Sequence, residues 1–225
     1  MKIVTLSMPV ISPEVRARLY ARATLLALVT IGYNIVEGLV SVFFGLEDET
    51  VALFGFGLDS FVEVISGVGI WHMMRRLRAS TDGEGADRFE KTALRVTGAA
   101  FYLLTAGLIL TAAWNFTAGR APETTFWGIV VSAVSIVTMW LLIRLKLSVG
   151  RALGSAAIIA DAACTRACLA LSFVLLAASL GYEATGLRHI DTLGALVIAA
   201  LAWREGREAF EKARTGTCSC AGAGS

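Results

Sequence analysis

The chain has 225 residues, of which 56% are hydrophobic and only 17% are charged, and its mean hydropathy is +0.69. A soluble domain needs roughly 25% charged residues, so this composition excludes an ordinary soluble protein. The net charge of +2 is small, and no basic stripe carries interleaved aromatic residues, which excludes nucleic acid as a partner.

The apolar runs predict an all-α fold, a six-span polytopic membrane helix bundle. Ser12, Pro13 and Glu14 are typical of an N-cap, a first-turn proline and a first-turn acid. They predict a basic helix that continues into the first span. The predicted spans cover about residues 23–46, 51–74, 93–114, 125–143, 154–180 and 190–203. The sixth is shorter than the roughly 17–25 residues that a lone spanning helix needs, so its flanks or its neighbours must cover it.

The segments between and beyond these spans define the organisation of the chain. We expect a polar loop at 75–91 and a short basic connection at 144–151. The predicted units are a cytoplasmic N-terminal segment with the basic helix at 1–22, a six-helix transmembrane transport domain at 23–210, and a short cytoplasmic tail at 211–225 whose end is disordered. No further folded cytoplasmic domain is expected.

The distribution of basic residues predicts the orientation. All but three of the 20 Lys and Arg residues lie on one side of the predicted spans or, for Arg95, within the adjoining end of the third span; the exceptions are Arg120, Arg166 and Arg188. Because basic loops remain in the cytoplasm, we expect both termini there, in an integral protein of the inner or plasma membrane.

Two pairs of ligand-type residues lie inside predicted spans. Asp59 and Glu63 are spaced i, i+4 in the second span, and Cys164 and Cys168 have the same spacing in the fifth. Residues spaced in this way share one face of a helix. Two helices that each offer such a pair can enclose one ion in four-fold coordination, which indicates a membrane transporter for a divalent transition metal.

Each of these residues also has an alternative without metal. A charged residue at a helix centre costs about 2.5–3.5 kcal/mol, but protonated acids can hydrogen-bond between helices. Free cysteines often act as small hydrophobic residues in helix contacts. Asp161 lies on the stripe of Cys164 and Cys168, where it is a candidate metal ligand, a support behind the ligands or a proton carrier.

Other polar residues in or near the spans have less specific predictions. Glu37 and Asn34 in the first span are candidates for supporting the ligands or handling protons. Arg166 points away from the cysteine stripe, and we expect it to pair with Glu37, with a watery cavity or a subunit interface as the alternative. Cys218 and Cys220 form a weak candidate metal site in the tail, although incidental thiols explain them as well.

Four motifs resemble those of the cation diffusion facilitator family over about residues 21–210. They are Y-N-I-V-E-G at 33–38, A-L-F-G-F-G-L-D-S-F-V-E at 52–63, A-D-A-A-C-T-R-A-C at 160–168, and the acid Asp191 that opens the sixth span. The resemblance implies a six-span homodimer that exports divalent metals from the cytoplasm in exchange for protons. It places the central metal site at Asp59, Glu63, Cys164 and Cys168. The chain departs from the family in two respects: cysteines stand where span five usually has His and Asp, and the usual C-terminal cytoplasmic domain is not expected.

The ligand types narrow the choice of ion and of function. Thiolates disfavour Mg²⁺, Ca²⁺ and Mn²⁺, whereas two carboxylates with two sulfurs suit Zn²⁺ or Cd²⁺. A softer ion held by the two cysteines alone, Hg²⁺ or Cu⁺, is the alternative. We therefore expect a secondary active transporter that moves metal ions and protons, without a resident cofactor, rather than an enzyme. The rival functions are a membrane thiol oxidoreductase, disfavoured because the cysteines are C-x-x-x-C in mid-span, and a non-transporting partner subunit.

Overall fold

The computed structural model describes residues 12–79, 84–118, 122, 124–187 and 189–215. Within these ranges the chain forms six α-helices and no β-strand, which confirms the all-α prediction. The helices are α1 (Pro13–Glu47), α2 (Val51–Ala79), α3 (Glu84–Ala118), α4 (Phe126–Leu153), α5 (Ala156–Thr185) and α6 (His189–Thr215).

Five of the six helices are long and apolar enough to cross a membrane, and they are α1 to α5. Helix α6 is not among them, which agrees with the short apolar run predicted for the sixth span. Its 27 residues correspond to about 40 Å of helix, which is longer than a bilayer core of about 30 Å. It packs against α3, α5 and α2, so its polar residues have neighbours that cover part of their surface.

Local signals explain where the helices begin and end. The Ser12 side chain accepts a hydrogen bond from the Val15 amide at 3.4 Å, and Pro13 occupies the first turn of α1, as the sequence predicted. Gly154 and Gly186 follow α4 and α5 with φ of 61° and 64°, a left-handed conformation that glycine adopts without strain.

Two predicted connections are wrong because their residues belong to helices. The basic segment 144–151 is part of α4, which continues to Leu153, and most of the polar loop at 75–91 is the end of α2 and the start of α3. Charge density suggested a loop at 144–151, but Lys146 in its middle is buried. The predicted boundary between residues 22 and 23 lies inside the continuous helix α1.

Helix α2 lies at the centre of the bundle. It contacts each of the other five helices, and the core cluster gathers around its residues Leu53 and Phe56 together with Leu171 and Ile198. Glycine brings α1 close to it, because a Cβ at Gly45 would lie only 2.6 Å from the Phe54 amide nitrogen. This central position buries the polar residues in the middle of α2.

We call the end of the bundle at which α2, α4 and α6 begin the loop end. Side-chain caps stabilise it. Asp191 at the start of α6 accepts hydrogen bonds from the amides of Val51 at 2.9 Å and Ala52 at 3.2 Å. Glu183 near the end of α5 accepts one from the Thr125 amide at 2.7 Å. These caps satisfy helix N-termini that would otherwise leave amides unpaired. The opposite end, named the termini end, carries the start of α1 and the end of α6.

Candidate metal centre

The two predicted ligand pairs face each other between α2 and α5. Asp59 and Glu63 are 1% and 7% exposed, Cys168 is 4% exposed, and Cys164 is partly buried. The Cys168 thiol donates a hydrogen bond to Oδ2 of Asp59 at 3.1 Å, and it also lies within hydrogen-bonding reach of Glu63. Residues that are 109 positions apart are therefore in direct polar contact.

All four predicted ligands line one cavity of about 30 Å³, which exceeds the space that a single water-sized species needs. Its remaining lining residues are Val62, Thr97, Phe101, Ala167, Leu171 and Glu205. Counting about 1.5 Å per residue, Asp59 lies about 12 Å and Glu63 about 18 Å from the start of α2, close to the middle of a bilayer core. The cavity therefore holds oxygen and sulfur donors near the middle of the membrane.

Unpaired oxygens in the cavity fit a cation. Within the described part of the chain, no hydrogen bond reaches Asp59 Oδ1 or Glu63 Oε2, and both atoms are buried. A buried acceptor without a partner costs roughly 1–3 kcal/mol. A metal ion or protons in the cavity would remove this cost.

The side chains do not form a closed ligand shell in this conformation. Among the described residues, no group of three or more His, Cys, Asp or Glu side chains could hold a metal ion. The Cys168 thiol is hydrogen-bonded to Asp59 Oδ2, so this carboxylate oxygen already has a partner. The four donors share a cavity, and metal binding there requires them to converge.

Asp161 has a different environment from its predicted neighbours on the stripe. Its Oδ2 lies 2.8 Å from Nζ of Lys146, and Lys146 also donates to Oγ1 of Thr165 at 2.9 Å. Asp161 does not belong to the cavity lining. It is therefore the partner of a buried cation on α4 and does not join the other predicted ligands here.

Glu37 and Asn34 lie on α1 in a second polar cluster. Glu37 accepts hydrogen bonds from the hydroxyls of Tyr33 at 2.8 Å and Ser60 at 3.0 Å. The Asn34 amide donates to the carbonyl of Thr30 at 2.9 Å. Ser60 follows Asp59 directly, so it points to a different face of α2, and Glu37 lies beside the cavity rather than in it.

The structure does not bring Arg166 and Glu37 together. Arg166 is exposed on α5, and the ion pairs formed among the described residues do not include it. Glu37 is occupied by hydroxyl donors instead. Its exposure on the single chain fits the alternative prediction, a watery cavity or a subunit interface, better than a pairing with Glu37. Cys218 and Cys220 lie outside the described residues.

Two charged residues near the cavity, Lys146 and Glu205, were not predicted from the sequence. Lys146 stood between Arg144 and Arg151, and Glu205 in the charged run R-E-G-R-E, so both looked like loop or tail residues. A signal was present in α6, because small or apolar residues recur at helical spacing as far as Ala209 and Ala213. That pattern extends the buried helix past Glu205.

A family comparison identifies the kind of protein. The family model described as the cation efflux transmembrane domain matches residues 23–215, which include all six helices except the start of α1. Comparison with individual curated proteins gives no significant match. The match covers most of the chain, including all of α2 and α5, so the chain belongs to the cation efflux family.

Proposed function

We propose that the protein exports Zn²⁺ or Cd²⁺ from the cytoplasm in exchange for protons. Family membership makes it an integral membrane transporter of cations rather than an enzyme. The ion and the coupling are our proposal, and the observation that supports them best is the contact between Cys168 and Asp59 in a cavity lined by two carboxylates and two thiols. This donor set suits Zn²⁺ and Cd²⁺ better than hard cations.

The same contact supports proton coupling. The Cys168 thiol donates a hydrogen bond to the Asp59 carboxylate and so keeps its proton, whereas a cysteine that binds metal is a thiolate. A metal ion that binds both groups therefore displaces a proton, and a returning proton favours release of the metal. Metal and proton would compete for the same atoms, which is the linkage that an antiporter requires.

We expect transport by alternating access, and two features support a cavity that is open toward the cytoplasm in this conformation. The caps of Asp191 and Glu183 fasten the loop end. The cavity reaches Glu205, which lies about 24 Å along α6 from its start at His189 and hence nearer the termini end. With cytoplasmic termini, this conformation would load metal from the cytoplasm.

We also propose that the protein is a homodimer formed by membrane helices. Arg166 lies about 15 Å along α5 and is exposed on the single chain. An arginine facing lipid at the helix centre costs about 2.5–3.5 kcal/mol, and a second copy packed against this face would cover it. Mass measurement in nanodiscs should give two chains per particle, while a transport-active monomer would contradict the proposal.

Proteoliposomes test the transport function directly. Purified protein is reconstituted with an internal pH dye, and uptake of Zn²⁺ or Cd²⁺ should move protons in the opposite direction. Asp59→Ala should abolish both fluxes, whereas Glu211→Ala, which removes an exposed carboxylate of α6, should leave them unchanged.

The same assay separates the alternatives. If Asp59→Ala and Cys168→Ala both transport normally, the proposed site is wrong. If only the cysteine substitutions matter, the two thiols alone bind the cargo and a softer ion such as Hg²⁺ or Cu⁺ replaces Zn²⁺. Metal flux without proton flux would remove the antiport mechanism.

A further inference from the structure

A buried ion pair lies beside the cavity without lining it. Lys146 of α4 is 1% exposed and the side chain of Asp161 on α5 is 9% exposed, and their charged atoms are 2.8 Å apart. Desolvation costs several kcal/mol for each ion, which such a pair often fails to recover. Stability alone is therefore a poor explanation for a lysine at this position.

The pair lies next to a proposed metal ligand along α5. Asp161 lies one turn before Cys164 on the same stripe of α5, and Thr165, which accepts a hydrogen bond from the Lys146 ammonium, is the residue after Cys164. Because Lys146, Asp161 and Thr165 are all buried, the two charges act on the neighbouring cavity through protein, where charge interactions are stronger than in bulk water.

We infer that Lys146 is a fixed counter-charge of the metal site that limits metal affinity, and that Asp161 holds it in place and offsets part of its effect. This inference rests on the proposed transport function. Without metal, the ammonium compensates the negative charge of the carboxylates in the cavity. When a divalent cation binds, the ammonium becomes a like charge nearby and favours release. A carrier needs such a limit, because cargo that binds too tightly does not leave.

The two charges predict opposite effects on binding. Lys146→Met removes the repulsion and should tighten Zn²⁺ binding by about tenfold or more. Asp161→Asn leaves the ammonium unopposed and should weaken binding by a similar factor. The double variant has the same net charge at these two positions as the intact ion pair, namely zero, so it should bind within about threefold of the wild type.

The experiment measures Zn²⁺ and Cd²⁺ affinity by chelator competition on the purified protein in nanodiscs, with thermal unfolding as a second readout. Arg144→Met is the matched control, because it removes an exposed positive charge from the same helix and should leave the affinity unchanged. If Lys146→Met does not fold, the other two variants still test the inference: Zn²⁺ affinity should fall in Asp161→Asn and return close to the wild-type value in the double variant.

The outcomes distinguish this inference from the function on which it rests. Opposite shifts in the two single variants, with recovery in the double variant, support the counter-charge role. If both single variants weaken binding, or if neither changes it, the pair has only a structural role and the inference is wrong. A wild-type protein that binds neither Zn²⁺ nor Cd²⁺ overturns the proposed function itself.

Discussion

The thiol of Cys168 hydrogen-bonds to the Asp59 carboxylate at 3.1 Å, which joins α5 to α2 at the middle of the bundle. The contact is polar, so Cys168 is not acting only as a small hydrophobic residue in a helix interface. It also places a soft sulfur donor, that of Cys168, next to a hard carboxylate oxygen of Asp59. The relative affinity for soft and hard ions should therefore depend on this sulfur.

Replacing the sulfur by oxygen tests this dependence. Cys168→Ser keeps a donor that can reach Asp59 and a similar side-chain volume, so we expect a folded protein. Serine hydroxyl is a poor ligand for soft metals, so Cd²⁺ affinity should fall by about tenfold or more, and Zn²⁺ affinity by less. Competition binding with both ions gives the ratio.

Cys164→Ser provides the parallel measurement for the second thiol, which lines the same cavity. An unchanged Cd²⁺ to Zn²⁺ ratio in both variants would show that the sulfurs are not ligands.

The Asp191 cap should contribute to stability rather than to metal affinity. Asp191 is 3% exposed, and its two oxygens accept the amides of Val51 and Ala52. Asp191→Ala leaves these amides unpaired and should destabilise the protein by about 1–2 kcal/mol, seen as a lower Tm in detergent. Leu193→Ala, on the exposed face of the same helix, is the control and should shift Tm much less. Equal Tm values for Asp191→Ala and the wild type would show that the cap contributes nothing.

Helical periodicity predicted the ligand helices because it depends only on local spacing. Asp59 with Glu63, and Cys164 with Cys168, fall on single faces of α2 and α5 whatever the tertiary structure. All four side chains line one cavity, and their binding of a metal ion stays a prediction.

The environment of Lys146 could not be predicted in the same way. Its partner Asp161 is on another helix, and the neighbouring charges of α4 made the segment look solvent-exposed. The predicted pairing of Arg166 with Glu37 failed for a related reason. Glu37 accepts hydrogen bonds from the hydroxyls of Tyr33 and Ser60. Hydroxyl groups carry no charge, so a sequence pattern does not identify them as partners of a carboxylate.

The number of crossings can be tested with three single cysteines. In a variant whose four native cysteines are serine, Arg18→Cys, Glu47→Cys and Arg214→Cys each add one exposed thiol. With six crossings and cytoplasmic termini, only the thiol at Glu47 should react with an impermeant reagent outside intact cells. All three should react after the cells are permeabilised.

The position at Arg214 decides whether α6 crosses the membrane. If α6 does not cross, Arg214→Cys reacts from outside while Arg18→Cys remains protected. Reaction of Arg18→Cys from outside would reverse the predicted orientation of the whole bundle.

Glu205 provides a test of how metal reaches the cavity. It lines the cavity together with Asp59 and Glu63, and its carboxylate lies 3.9 Å from Arg204. A cavity lined by carboxylates concentrates cations and accelerates their binding. Glu205→Gln keeps the shape of the side chain but removes its charge. We therefore expect the transport KM for Zn²⁺ to rise by about tenfold with little change in kcat.

Glu208→Gln is the matched control for Glu205→Gln. Glu208 lies one turn further along α6 and pairs with Arg204 at 3.4 Å, but it does not line the cavity. The two substitutions make the same change in net charge, so a general effect of surface potential would raise KM equally in both. A rise confined to Glu205→Gln assigns the effect to the cavity, and it should shrink at high ionic strength if Glu205 attracts the ion from solution. A fall in kcat with unchanged KM would instead mean that Glu205 acts after binding, during transport or release, and the loading role would be wrong.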